Sequence, residues 1–247
     1  MKDVVLDIVK HTAGLGFIEN IKVTGTNDAT KLEAMDPDRT VILNAQLHAP
    51  AGDMTGEFGM GNLGFLNGVS NLSNYKDDGA TVEVTRRERN GEEQPEAIIF
   101  KDQEGNKDQY RFMSKQIVEQ TMKTVTFKGA SWDVTIEPAK AKVGELQQVA
   151  SIYGSIEPTF SVKTEEGDLV FTVGSPDGGL QGRRTFARNV DGELTAGWSW
   201  PLSQVLSILK LGMSGGCVMK FSDQGALQID VDSGIATYSY VLPAITK

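Results

Sequence analysis

The order of elements repeats within the chain. Residues 3–13, DVVLDIVKHTA, set Val4, Val5, Ile8 and Val9 on one face of an amphipathic helix and Asp7, Lys10 and His11 on another. Strand signals follow at FIENIKVTG, TKLEAMD and TVILNAQLHA. A second helical stripe comes next, and after it GATVEVTRRERN, PEAIIFKDQ and KDQYRFM, joined by turn-forming NGEEQP and DQEGNKD. The second half runs the same way. WDVTIE reads as a strand, PAKAKVGELQQVASIYG as a helix opened by Pro138, and TFSVKTEEGDLVFTVG as a hairpin around 165–167. RRTFARNV is a further strand, WPLSQVLSILKLG a helix begun at Pro201, and CVMKFSDQGALQIDVDSGIATYSYVLP a closing three-strand meander. Such a chain is restricted to an α+β protein with an internal duplication, two short helices packed on antiparallel sheets in each half. The predicted boundaries are 1–113 and 131–247. Between them SKQIVEQTMKTVTFKGA, 114–130, mixes Lys, Thr and isolated apolar residues and is expected to be an extended connector.

With 247 residues, either one large domain or two ordinary ones can bury a substantial core. No apolar run approaches the roughly 20 residues of a membrane helix. Asp3 and Asp7 interrupt the apolar N-terminus, unlike a secretory signal, so the expected location is the cytoplasm. Cys217 is the single cysteine, which excludes an internal disulfide and any thiolate metal cluster. The net charge of −9 argues against a nucleic-acid partner only as a sum; what decides is where the 24 basic residues sit.

Within EFGMGNLGFLNGVSNL, Gly59, Gly61 and Gly64 spell the GxGxxG of dinucleotide-binding loops. That chemistry needs a strand running into the glycines, and residues 50–58 read instead as loop. Leu63, Leu66, Val69 and Leu72 recur at helical spacing, leaving Asn62, Asn67, Asn71 and Asn74 largely off the apolar stripe. The glycines are then expected to serve close packing of helix on sheet.

Enzymatic constellations are thin. His11 and His48 are the only histidines, and Cys217 is expected in the core. Asp36 with Asp38, and Asp230 with Asp232, are spaced to chelate a divalent ion, but also read as a turn and a solvent face. No catalysis, cofactor or metal is expected.

LEAMDPDRTVILNAQL, residues 32–47, resembles the sliding-clamp family of the proliferating cell nuclear antigen (PCNA) type, in which an AMDP-x-R tract precedes an alternating strand soon after the first helix. The tail YSYVLPAITK is similar to that family's closing strand, and the short helices and long loops look most like a clamp of a tailed bacteriophage, which would place the protein in the cytoplasm of an infected bacterial host. The resemblance implies a head-to-tail homotrimeric ring of clamp domains, strands outside and short helices lining a hole for double-stranded DNA. It implies contacts that are loose and sequence-independent, with DNA polymerase and a clamp loader as partners and no membrane. The DNA candidates are Lys10, Lys140, Lys142 and Lys210, with Lys2 and Lys76 weaker; each can equally be a solvated surface charge. By position, the resemblance implies a partner-peptide pocket of Met35, Thr40, Ile42, Val125, Phe127, Leu242, Pro243 and Ala244, or else ordinary core. Subunits would join by strand addition through Tyr110, Arg111 and Phe112 on one side and Arg183, Arg184 and Phe186 on the other. The alternative is a β-rich phage structural protein of tail or capsid, which has no reason to place lysines on helices.

Overall fold

Helix, three strands, a fourth strand, helix, three strands: both halves build this succession. The computed structural model describes residues 1–89, 91–122, 127–175 and 177–245. In the first half α1 (Lys2–His11) precedes β1 (Ile21–Gly25), β2 (Thr30–Met35), β3 (Ile42–Leu47) and β4 (Gly56–Met60). Then come α2 (Leu63–Ser70), the one-turn α3 (Ser73–Lys76), β5 (Thr81–Arg89), β6 (Glu92–Lys101) and β7 (Lys107–Arg111), followed by β8 (Met113–Ser114) and α4 (Lys115–Thr121). The second half holds β9 (Val134–Ile136), α5 (Lys140–Tyr153), β10 (Thr159–Glu165), β11 (Asp168–Ser175), β12 (Leu180–Ala187) and β13 (Ser199–Pro201). It ends with α6 (Leu202–Gly212), β14 (Gly216–Ser222), β15 (Ala226–Asp232) and β16 (Ala236–Pro243). Two compact units result: Met1–Thr126 with Gly234–Tyr238, and Phe127–Ser233 with Ser239–Lys247.

The repetition extends to the pairing. β4 lies antiparallel to β1 as β13 lies antiparallel to β10. The first unit has strand orders β8-β4-β1-β2-β3 and β5-β6-β7; the second has β12-β11-β10-β13 and β16-β15-β14-β9. Alternation of apolar and polar residues buries one face of each strand, as in β1, where Ile21, Val23 and Gly25 are buried and Lys22 and Thr24 are not. Phe58, Tyr75 and Phe100 fill the first core; Phe160, Phe171, Trp200 and Phe221 fill the second.

The β2–β3 turn shows why AMDPDRT is a compact motif. Buried Asp36 accepts from the Val41 N–H at 2.6 Å and the Thr40 hydroxyl at 2.7 Å, and Arg39 adopts the left-handed conformation at φ 58. The carboxylate is thus consumed by the turn, which answers the metal-pair reading of Asp36 and Asp38.

Three expectations are corrected. Residues 56–58 of the stretch read as loop open β4, which is paired along its length from Ile21 opposite Met60 to Gly25 opposite Gly56. Its glycines lower strand propensity, but the partner supplies the ladder. The connector is not extended throughout: Lys115–Thr121 is helical, because Val118 docks on β4 and Lys115 pairs with Glu57 at 3.0 Å. Gly59 and Gly61 serve this docking, since a Cβ at Gly59 would stand 2.6 Å from Val118 Cγ2 and one at Gly61 2.6 Å from Met113 Sδ. Gly64 has open space around it, so the spacing is not a property of α2. Finally, His11 is buried with Val5, Ile8 and Val9 instead of lying on the polar face.

Candidate nucleic-acid interface

The helices separate apolar from polar residues by their turn. In α5, Val143, Leu146 and Val149 are buried, while Lys140, Gly144, Gln147, Gln148 and Ser151 are exposed. In α6, Leu202, Val205, Leu206, Ile208 and Leu209 are buried, with Ser203 and Lys210 exposed. A groove of about 450 Å³ between these two helices is lined by Gln147, Ser151, Ser203, Ser207 and Lys210. The neutral donors among them, Gln147 with Ser151 and Ser203 with Ser207, stand at i, i+4 spacing and suit a phosphate backbone, and a search for charge alone passes over them.

The predicted lysines divide into three kinds. Lys10, in the last turn of α1, Lys140 and Lys210 are exposed, with no ion pair or hydrogen bond among the described residues. Lys142 lies 2.8 Å from Glu145, one helical turn away. Lys2 donates to the Lys76 carbonyl at 3.2 Å and the Asp77 carbonyl at 2.6 Å, so its ammonium caps the C-terminal end of α3 next to exposed Lys76. On α2 and α3 the asparagines perform local tasks: Asn62 is the left-handed N-cap residue of α2, Asn71 just past its end donates to Asn67, and Asn74 on α3 donates to Asp102 at 2.7 Å. The exposed residues of α2 are Gly64, Phe65 and Gly68, none of them charged.

Among the described residues both predicted joining strands lie at the edge of a sheet, β7 beside β6 and β12 beside β11. Their aromatic residues belong to the core. The buried Tyr110 hydroxyl donates to the Gly61 carbonyl, Phe112 packs on Phe58 at 4.4 Å, and Phe186 stacks on Phe171 at 4.2 Å. The arginines are the outward members, each with a carboxylate of its own unit: Arg111 with Glu96 at 3.2 Å, Arg183 with Glu165, and Arg184 with Glu145 at 3.6 Å. Two features beside these edges escaped the sequence reading. A cavity of about 980 Å³ next to β7 is lined by Gln109, Tyr110 and Arg111 together with Ile18, Leu63 and Phe65, the last 54% exposed. At β12, Leu180 is 55% exposed, and Ile152 and Ile156 at and beyond the end of α5 are 64% and 42% exposed. Exposed aliphatic side chains on a helix carry no periodic signal that marks them as interfacial.

The pocket candidates fall in both units. Met35 and Ile42 are half-buried partners across the β2–β3 ladder, and Thr40 is tied to Asp36. Phe127 packs near Trp132, ring centroids 6.2 Å apart. Leu242 is fully buried and its carbonyl accepts from Trp200 Nε1 at 3.1 Å, so its side chain is core; Pro243 is exposed, and the Ala244 N–H donates to Gly225 at 2.8 Å. Val125 lies outside the described residues.

For chemistry the structure offers little. Asp230 pairs with Lys220 at 2.8 Å, and His48 is exposed beside the Thr237 hydroxyl. Burial, helped by the charge of Asp230, pushes the Cys217 thiol up to about 12, far from a nucleophile's range. Among the described residues no three His, Cys, Asp or Glu side chains are grouped to hold a metal. Nor, among the described residues, is any helix long and apolar enough to cross a membrane.

No protein-family model matches the sequence, and no curated protein matches it. Solved structures do match, from end to end. PCNA of Thermococcus kodakaraensis superposes with a TM-score of 0.72 at 13% identity, covering 98% of this chain and 97% of that one. PCNA of A. fulgidus, solved with the C-terminal region of FEN-1 bound, gives a TM-score of 0.72 at 10% identity over 100% and 97%. PCNA of Entamoeba histolytica gives 0.66 at 12% identity over 99% and 94%. At such identities the likeness speaks for the fold, and on that ground this chain has the fold of a PCNA-type sliding clamp over its whole length.

Proposed function

We propose that this chain is a non-catalytic DNA sliding clamp, a ring of three copies that tethers a DNA polymerase to duplex DNA without reading its sequence. The end-to-end likeness to PCNA structures, TM-score 0.72 over 98% of the chain, carries the proposal and favours it over a tail or capsid protein. Lys10, Lys140 and Lys210, with the serines and glutamine of the α5–α6 groove, supply phosphate contacts that do not depend on base identity. Ring closure would join the free edges of β7 and β12, with Leu180, Ile152 and Ile156 of one copy against the Phe65-bordered cavity of the next. By likeness to the A. fulgidus protein, a partner's terminal peptide is expected to dock, and the clamp loader would use the same surface. On the first unit, half-buried Met35 and Ile42 are the residues offered for it.

The test uses linear duplex DNA, onto which a closed ring can thread. The expected species has three times the 26.7 kDa mass of the chain by light scattering. It stays on DNA when both ends are blocked by a bulky protein after mixing, and leaves when either end is free. Retention that ignores the state of the ends would mean ordinary binding and would defeat the clamp function.

A further inference from the structure

Glu145 stands between two cations with different expected tasks. One carboxylate oxygen, Oε2, is 2.8 Å from Lys142 Nζ on the same helix; the other, Oε1, is 3.6 Å from Arg184 Nε on the edge strand β12. The Lys142 pair closes over a single turn on the polar side of α5, opposite buried Val143, Leu146 and Val149. Lys140, two residues earlier, and Lys210 on α6 have no such partner among the described residues. Of the lysines assigned to DNA on these two helices, one is therefore already neutralised.

To an ammonium group, a carboxylate oxygen at this distance is the same kind of ligand as a phosphate oxygen. Lys142 must exchange one for the other to touch a DNA backbone, whereas Lys140 and Lys210 exchange only water and ions. While it stays paired with Glu145, Lys142 neutralises no phosphate and releases no counterion from the DNA, so it adds nothing to the salt dependence of binding. Removal of Lys142 would not strand the carboxylate either, because Arg184 remains on its other oxygen.

We propose, resting on the clamp function above, that Glu145 is a positioning residue that withholds Lys142 from DNA and so keeps the electrostatic grip loose. A ring held by topology needs no tight grip, and each added phosphate contact opposes movement along the duplex. Glu145 acts through Lys142 and does not itself touch DNA.

The experiment follows binding of a fluorescein-labelled duplex across a salt series for wild type, E145Q, K142A, the E145Q/K142A double variant and E193Q. E193Q removes an exposed, unpaired carboxylate elsewhere and controls for net charge. E145Q is expected to bind several-fold more tightly at low salt, with a log–log salt slope steeper by about 0.9 for each Lys142 that gains a phosphate. K142A alone leaves the slope unchanged, and K142A in the E145Q background cancels the gain. An E145Q slope equal to wild type, a gain that survives K142A, or an equal gain in E193Q would overturn the role of Glu145. Wild-type binding with no salt dependence would overturn the clamp function and this role together.

Discussion

The imidazole of His11 lies flat on the ring of Tyr238, centroids 4.3 Å apart and planes 12° apart, joining the first helix to a strand more than two hundred residues later. The Tyr238 hydroxyl donates to Asp7 Oδ2 at 2.8 Å, and His11 Nδ1 donates to the Asp7 carbonyl at 2.8 Å, so one acidic residue holds both rings. Removing only the hydroxyl, Y238F, is expected to cost about 1.5–3 kcal/mol, the worth of a hydrogen bond to a charged group. Y238A removes the stacked face as well and is expected to cost about 3–5 kcal/mol, as truncation of a buried aromatic does. Urea unfolding curves check both. Equal losses would mean that the ring contributes nothing beyond its hydroxyl.

A second prediction concerns how α4 is held. At Gly59 a methyl group would meet Val118 Cγ2 at 2.6 Å and Met113 Cβ at 3.2 Å. G59A should therefore destabilise the first unit by about 1–3 kcal/mol, the usual range for overpacking. V118A makes room for that methyl, so the G59A/V118A pair should lose less than the sum of the single changes. Strict additivity in denaturant unfolding would show that the helix moves away freely and that Gly59 is not there for its sake.

The amphipathic helices were legible in the chain because their apolar faces are set by local spacing: Val5, Ile8 and Val9 in α1, and Val143, Leu146 and Val149 in α5. The strands around them were legible for the same reason. What could not be read was whatever tertiary partners decide. β4 carries glycines beside Phe58 and becomes a strand through its pairing with β1. α4 is a seven-residue helix whose anchor, Val118, acquires meaning only opposite Gly59. His11 follows Lys10 and looks polar until Tyr238 covers it. In the candidate site, lysine positions were visible, but their partners were not: Lys2 is spent on the end of α3 and Lys142 on Glu145.

Acid should act on the second unit through Asp223. The Ala196 N–H, and after it the Thr195 hydroxyl and N–H, hold this carboxyl below the usual carboxylate range. A group whose folded pKa is depressed stabilises the fold above its unfolded pKa, about 3.9, and loses that contribution as pH falls through the folded value. D223N should accordingly be less stable than wild type at neutral pH, and the gap should narrow as the pH drops below about 4. Melting temperatures measured along a pH series decide the matter. A gap that stays constant into acid would show that the loop is held by the shape of the side chain and not by its charge.

The lysines should sort by partner rather than by position in the chain. Lys10, Lys140 and Lys210 are unpaired among the described residues, so K10A, K140A and K210A should each flatten the log–log salt slope of DNA binding, by about 0.9 for every phosphate the lysine had engaged. Lys2 is different: its ammonium is 2.6 Å from the Asp77 carbonyl and ties the start of α1 to the end of α3. K2A should lower stability, with more rapid amide hydrogen exchange at α3, and leave the salt slope where it was. Salt-series binding and hydrogen exchange on the same four variants separate the two roles. A slope that falls with K2A as much as with K210A would return Lys2 to the DNA-contacting set, and a slope untouched by all four would remove the helices from the nucleic-acid interface altogether.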